Sequence, residues 1–144
     1  MTLIVDDALL LRVLAGLAEG EVAEAAGRGE LFTTGSWYYR LARAVHSGDF
    51  VGALSRPFSR FTPERQTRVL AALDRLPPEI GLISLRDLVP VMWTLSVGRT
   101  LNLLTAEALA AAQVLDAGIR TTTDSTMLRE SAAAVGVEVQ IISV

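Results

Sequence analysis

Asp6 and Asp7, directly behind the apolar triplet Leu3-Ile4-Val5, are the first residues of this 144-residue chain placed where chemistry is done. Asp124 holds the equivalent place behind Ile119 to Thr123, and Glu107 lies in the first turn of an expected helix. Carboxylates brought to one edge repel one another, so a cation is usually needed to hold them together. Oxygen ligands with room for water suit Mg²⁺ or Mn²⁺. Such an ion lowers the pKa of a bound water and neutralises a phosphodiester in its transition state. The reaction class is therefore metal-assisted phosphodiester cleavage. Asp6, Glu107 and Asp124 are the catalytic candidates, and Asp6, Asp7, Glu107 and Asp124 the candidate metal ligands. Taken one at a time, each has a simpler explanation: an Asp at a helix start is an N-cap, and a Glu in a first turn is stabilised by the helix dipole. Only their joint placement raises the metal reading.

Other chemistries are excluded by composition. Cysteine is absent, which removes disulfides, thiolate zinc sites and a cysteine nucleophile. The one histidine, His46, precedes an expected turn at Ser47-Gly48-Asp49 and reads as a solvated residue near a helix end. Every basic side chain is Arg, so Schiff-base lysine chemistry and a Walker-type phosphate lysine are also excluded. The net charge of −3 argues against constitutive nucleic-acid binding. No G-x-G-x-x-G, P-loop or nucleophile elbow supports a generic small-ligand α/β module.

The elements that must position these acids follow from periodicity. Leu3-Ile4-Val5 reads as a strand, and Leu9, Leu10, Val13, Leu14 and Leu17 as a helix weakened and ended by Gly16 and Gly20. Glu21 to Ala26 reads as a short helix, and Leu31 to Thr34 as a second strand. Gly35-Ser36 opens a helix with Trp37, Leu41 and Val45 on one stripe. Gly48 to Arg60 carries no clear pattern. Thr62-Pro63-Glu64 is a strong helix start. Ile80 to Ile83 is a weak strand, and Ser84 with Asp87 resembles a capping box ahead of a helix containing Pro90. Thr105 is the expected cap of a helix from Ala106 to Ala117, ended by Gly118. Ile119 to Thr123 is a strand, Asp124 or Ser125 caps a helix to Val135, and Val137 to Ile142 is the last strand.

This alternation predicts one α/β domain over residues 1–144, a three-layer α/β/α arrangement with a short central parallel sheet of 4–5 strands. Apolar residues are 51% of the chain and charged residues 20%, enough for a core and unlike a disordered chain. The densest apolar run, Leu88 to Val97, is well short of the roughly 20 residues of a membrane span. Met1-Thr2-Leu3-Ile4-Val5-Asp6 lacks a basic start and a cleavage site, so a cytoplasmic protein with no membrane association is expected.

Leu3 to Arg12, with Asp6 in its centre, resembles the opening strand, first acid and first helix of the PIN-domain family. Leu104 to Ala112 resembles that family's Asp-Ala-Leu helix, with Glu107 where Asp is usual. Gly118 to Asp124 resembles its strand ending in Thr-x-Asp, contracted by one residue, and Gly136 to Val139 its final strand. The resemblance implies a PIN-like fold and an Mg²⁺- or Mn²⁺-dependent ribonuclease similar to the toxin half of a toxin–antitoxin pair. It also implies RNA as substrate, a small antitoxin protein as partner, and a homodimer. The family's second acid has no counterpart in Ser36 to Leu41. Arg40 stands there instead, placed to pair with Glu107 or Asp6, and Asp7 and Ala8 replace the small hydroxyl residue after the first acid. The alternative is thus a catalytically inactive PIN-like module that binds or regulates protein partners. Tyr38 and Tyr39, and the run Arg56, Arg60, Arg65 and Arg68 with Phe58 and Phe61, are candidate partner contacts; packing of the aromatics and solvation of the charges is the simpler and favoured account.

Overall fold

A computed structural model describes residues 1–47 and 52–144. The described strands are β1 (Leu3–Val5), β2 (Leu31–Thr33), β3 (Ile80–Leu82), β4 (Gly118–Thr121) and β5 (Val139–Ile141). The helices are α1 (Asp7–Leu14), α2 (Gly20–Gly27), α3 (Gly35–His46), α4 (Ser55–Ser59), α5 (Pro63–Asp74), α6 (Leu85–Ser96), α7 (Leu103–Leu115) and α8 (Thr126–Val135). All strand pairs are parallel, in the order β3-β2-β1-β4-β5. Parallel neighbours require crossovers, and the helices supply them on both faces, giving the expected three layers.

The two-residue period of β1 divides the core. Leu3 and Val5 face α1, α2 and α5, whereas Ile4 faces the other way, with Ile119, onto α6, α7 and α8. Helix α3 serves both sides: Trp37 joins the second core, and Leu41 and Val45 the first. Burying each of these side chains contributes about 1.5–3 kcal/mol, which fixes the α3 N-terminus against the sheet. Ala106, Ala108, Ala110, Ala111 and Ala112 are all buried, so α7 lies close over the sheet.

Several boundaries differ from the sequence reading. Helix α1 stops at Leu14, before Leu17, because Gly16 turns the chain at φ +75°. Helix α7 starts at Leu103: Asn102 is its cap, accepting from Thr105 N at 2.8 Å, and Thr105 lies inside the helix. Its left-handed terminus is Asp116, and Gly118 instead opens β4. A Cβ at Gly118 would stand 2.8 Å from Arg120 Nη1, so a larger residue there would have to displace the buried guanidinium. Ser125 rather than Asp124 caps α8, and β4 ends at Thr121. Within the unreadable stretch Gly48 to Arg60, residues 55–59 form α4, while 48–51 lie outside the described residues, as do Gly48 and Asp49 of the expected turn. Among the described residues no helix is long and apolar enough to cross a membrane.

Candidate functional site

The strand order reverses direction between β1 and β4, since β2 and β3 lie to one side of β1, and β4 and β5 to the other. In open parallel sheets the crevice for ligands opens at the carboxyl ends of the strands at this point. Asp6 stands in that crevice. It is 3% exposed, and its extended backbone hands the chain from β1 to α1. Oδ1 accepts from Leu9 N at 2.9 Å, the usual N-cap bond. Oδ2 accepts from Thr122 N at 2.7 Å and from Thr122 Oγ1 at 2.9 Å. The carboxylate therefore bridges the two strands at the switch point, and both its oxygens are engaged.

Glu107 is 1% exposed and has a parallel role at the next strand end. From α7 its Oε2 accepts from Gly35 N at 3.0 Å and its Oε1 from Ser36 N at 2.9 Å. Thr34 Oγ1 accepts from Trp37 N, and Thr34 O from Tyr38 N. The N–H groups of Gly35, Ser36 and Trp37, which the first turn of α3 leaves without helical partners, are thus satisfied, and Tyr38 N makes the first helical bond. The charge of Glu107 also faces the positive end of the α3 dipole. Gly35 permits this approach, because a Cβ there would come within 3.2 Å of Oε2.

Asp7 differs from both. Its Oδ1 accepts from Ala8 N, but its Oδ2 is buried without a hydrogen-bond partner among the described residues. Arg40 Nε lies 3.3 Å from that oxygen as an ion pair. Burial pushes the Asp7 carboxyl above its ordinary value; Arg40 opposes the shift and the neighbouring Asp6 adds to it. Arg40 accordingly pairs with Asp7, not with Glu107 or Asp6. Asp124 is exposed and turned outward to Arg129, at 3.1 Å. The structure thus brings Asp6 and Asp7 to the switch point, ties Glu107 to α3, and leaves Asp124 on the surface.

The fit to a divalent ion follows from these placements. Among the described residues no three His, Asp or Glu side chains converge to hold one. Of the four candidate ligands, Asp6 and Glu107 already take backbone donors, and Asp7 and Asp124 face arginines. The residues as arranged do not fit a shared Mg²⁺ or Mn²⁺, and no catalytic step is derived through one.

Beside Asp7 opens a cleft of about 380 Å³. Asp7 itself, Arg12, Arg40, Thr122, Leu54 and Phe61 help to line it, so its wall is apolar with two arginines, one of them paired with Asp7. Of the two tyrosines, Tyr38 donates its hydroxyl to Leu73 O and is half-buried, whereas Tyr39 is exposed. Phe58 is buried and packs edge-to-face with Phe61 at 6.2 Å, as the inward-packing reading expects. His46 is exposed at the end of α3, with Nδ1 2.7 Å from Ala42 O.

Sequence reasoning missed a second buried charge. Arg120, in the middle of β4, is 2% exposed and ion-paired with Glu21 of α2 and with Glu138 Oε1 at 2.7 Å. The signal was present as an Arg between Ile119 and Thr121 in a strand with buried neighbours on both sides. Comparison with protein-family models and with curated proteins finds no match.

Proposed function

We propose that this chain is a PIN-like domain acting as a non-catalytic binding module for a cytoplasmic protein partner, with its strand-end carboxylates used to hold the fold. One observation carries the reading: every candidate metal ligand already has a partner within the chain, and two of them cap helices or cross-link strands. A carboxylate in a working metal centre needs free lone pairs directed at the ion; those of Asp6 and Glu107 are directed at N–H groups. The cleft lined by Asp7, Arg12 and Arg40 gives the partner a place to dock, and its apolar wall beside Arg12 suits a segment carrying a carboxylate next to an apolar side chain. The net charge of −3 supports a protein over RNA as that partner.

A second reading, Mg²⁺- or Mn²⁺-dependent cleavage of RNA, is favoured by the buried Asp7 Oδ2, which accepts no hydrogen bond from the described residues and whose carboxyl is held up in pKa by burial. The two are separated by calorimetric titration of Mn²⁺ into the wild type and Asp6→Asn, with RNA cleavage assayed alongside. The binding-module reading expects no saturable Mn²⁺ binding and no cleavage that Asp6→Asn abolishes. Stoichiometric binding lost in Asp6→Asn would overturn it in favour of the nuclease.

A further inference from the structure

The cleft beside Asp7 is lined by two charges of opposite sign that do not pair with each other. Asp7 is 7% exposed, and its Oδ2 accepts no hydrogen bond from the described residues. A buried acceptor left without a donor is costly, so a ligand gains by donating to it. Arg12 stands five residues further along α1 and lines the same cleft. Its Nη2 donates to Leu17 O, and it forms no ion pair among the described residues. Helical residues three and four apart are neighbours, so Asp7, Ala8, Leu11 and Arg12 form one wall of the cleft. Leu54, Pro57 and Phe61 add to its apolar lining.

Arg40 holds the place of a ligand cation at Asp7. It meets Oδ2 as an ion pair at 3.3 Å without a hydrogen bond, and its side chain is 58% exposed. Arg40 can swing into water and keep its charge solvated; Asp7, buried in the first turn of α1, cannot follow. The cleft then offers an anion for a hydrogen-bonding cation, a guanidinium for a carboxylate, and an apolar wall beside both. An internal peptide segment spreads such groups over several residues, whereas in a free α-amino acid all three radiate from one carbon. A volume of about 380 Å³ lies at the lower end of ligand cavities, as a ligand of that size requires.

We propose that this cleft binds a free α-amino acid with an apolar side chain, its ammonium on Asp7 Oδ2 in place of Arg40 and its carboxylate on Arg12. The inference goes beyond the binding reading above. Ligand and partner segment exclude each other from the cleft, but the ligand site stands or falls without any partner.

Amide NMR titration of the full chain with L-leucine and with L-phenylalanine tests it, with circular dichroism to confirm folding of each variant. Saturable shifts are expected at the amides of Ala8, Leu11 and Arg12, with a Kd of about 1 mM or below for at least one of the two. 4-Methylpentanoate lacks the ammonium, leucinamide lacks the carboxylate, and N-acetyl-leucine reproduces a peptide end. Each should bind about tenfold or more weakly than leucine, as loss of a charged hydrogen bond implies. Asp7→Asn and Arg12→Gln should weaken amino-acid binding by a similar factor. Arg40→Gln removes the competing cation and should tighten it several-fold. Wild type showing no saturable shift with either amino acid, N-acetyl-leucine binding as tightly as leucine, or a folded Arg40→Gln protein binding more weakly than wild type would each overturn the proposal.

Discussion

The switch-point carboxylates and the Arg120 cluster are two ways of burying charge, and they differ in where the compensation comes from. Asp6 and Glu107 are anions at strand ends, where helices begin and backbone N–H groups stand unpaired; the backbone itself neutralises them. Arg120 is a cation in mid-strand, where both neighbouring strands already use the main-chain groups. It keeps one bond to a local carbonyl, Ile119 O at 3.2 Å, and otherwise depends on carboxylates from α2 and from the residue before β5. Those carboxylates remain 45% and 47% exposed. The cluster is thus asymmetric: the glutamates can return to water, and the guanidinium cannot.

That asymmetry gives the largest expected effect. Guanidinium stays charged under all ordinary conditions, and here its carboxylates hold its pKa still higher against the opposing effect of burial. Removing both glutamates, as Glu21→Ala with Glu138→Ala, strands a buried charge and should lower stability by about 3 kcal/mol or more in urea unfolding. Arg120→Met, which keeps the bulk and frees the glutamates to water, should stay within about 1 kcal/mol of wild type. Equal losses in the two proteins would remove the asymmetry from the account.

The switch-point anions come next. Glu107→Gln sets an amide N–H₂ against a backbone N–H at the start of α3, and Asp6→Asn does the same toward Thr122. Each should cost about 2 kcal/mol, the usual loss for hydrogen bonds to a charged group. In a metal centre the same changes relieve repulsion between carboxylates and leave stability unchanged or raised, so the sign discriminates.

Asp7→Asn should act in the opposite direction, with a pH signature. The folded-state pKa of Asp7 is raised above its ordinary 3.8, so between the two values the native state binds more protons than the unfolded one. Wild-type stability therefore carries no penalty from Asp7 below the unfolded value. The penalty grows as pH rises through the window between the two values and is full above the folded one. Asp7→Asn should be the more stable protein at neutral pH, with the advantage vanishing as the solution is acidified below about pH 4. Chemical denaturation of both proteins from pH 3 to 7 measures this; a difference that stays constant with pH would show that Asp7 is not the group responsible.

The smallest effect belongs to Asp124. Its pair with Arg129 is exposed on both sides, and Asp124→Ala should change stability by less than about 0.5 kcal/mol. A loss as large as that of Asp6→Asn would place Asp124 inside the switch-point network.

The fold was legible where a local pattern and a buried face agree. Leu3-Ile4-Val5, the Trp37-Leu41-Val45 stripe and Thr62-Pro63 each carry their signal within a few residues, and each is found where the pattern sets it. Caps were less legible, because Asn102 and Thr105, or Asp124 and Ser125, are chemically interchangeable until the backbone selects one. The sequence reading brought the acids to one sheet edge through Asp6, but not the direction of their oxygens. What engages Glu107 is Gly35 and Ser36, 72 and 71 residues away in the chain, and no spacing rule joins a helix interior to another helix's first turn. Arg120 went unread for the same reason: its partners come from α2 and from the approach to β5, and only the β1–β4–β5 pairing brings them together.

The most direct test of the central claim is the urea midpoint of wild type, Asp6→Asn and Glu107→Gln, each with and without saturating Mn²⁺. A bound ion stabilises the native state by mass action. Carboxylates that hold the fold predict two destabilised variants and a wild-type midpoint that Mn²⁺ leaves in place. A wild-type midpoint that rises with Mn²⁺, with the rise lost in both variants, would contradict the account and make the strand-end edge a metal centre.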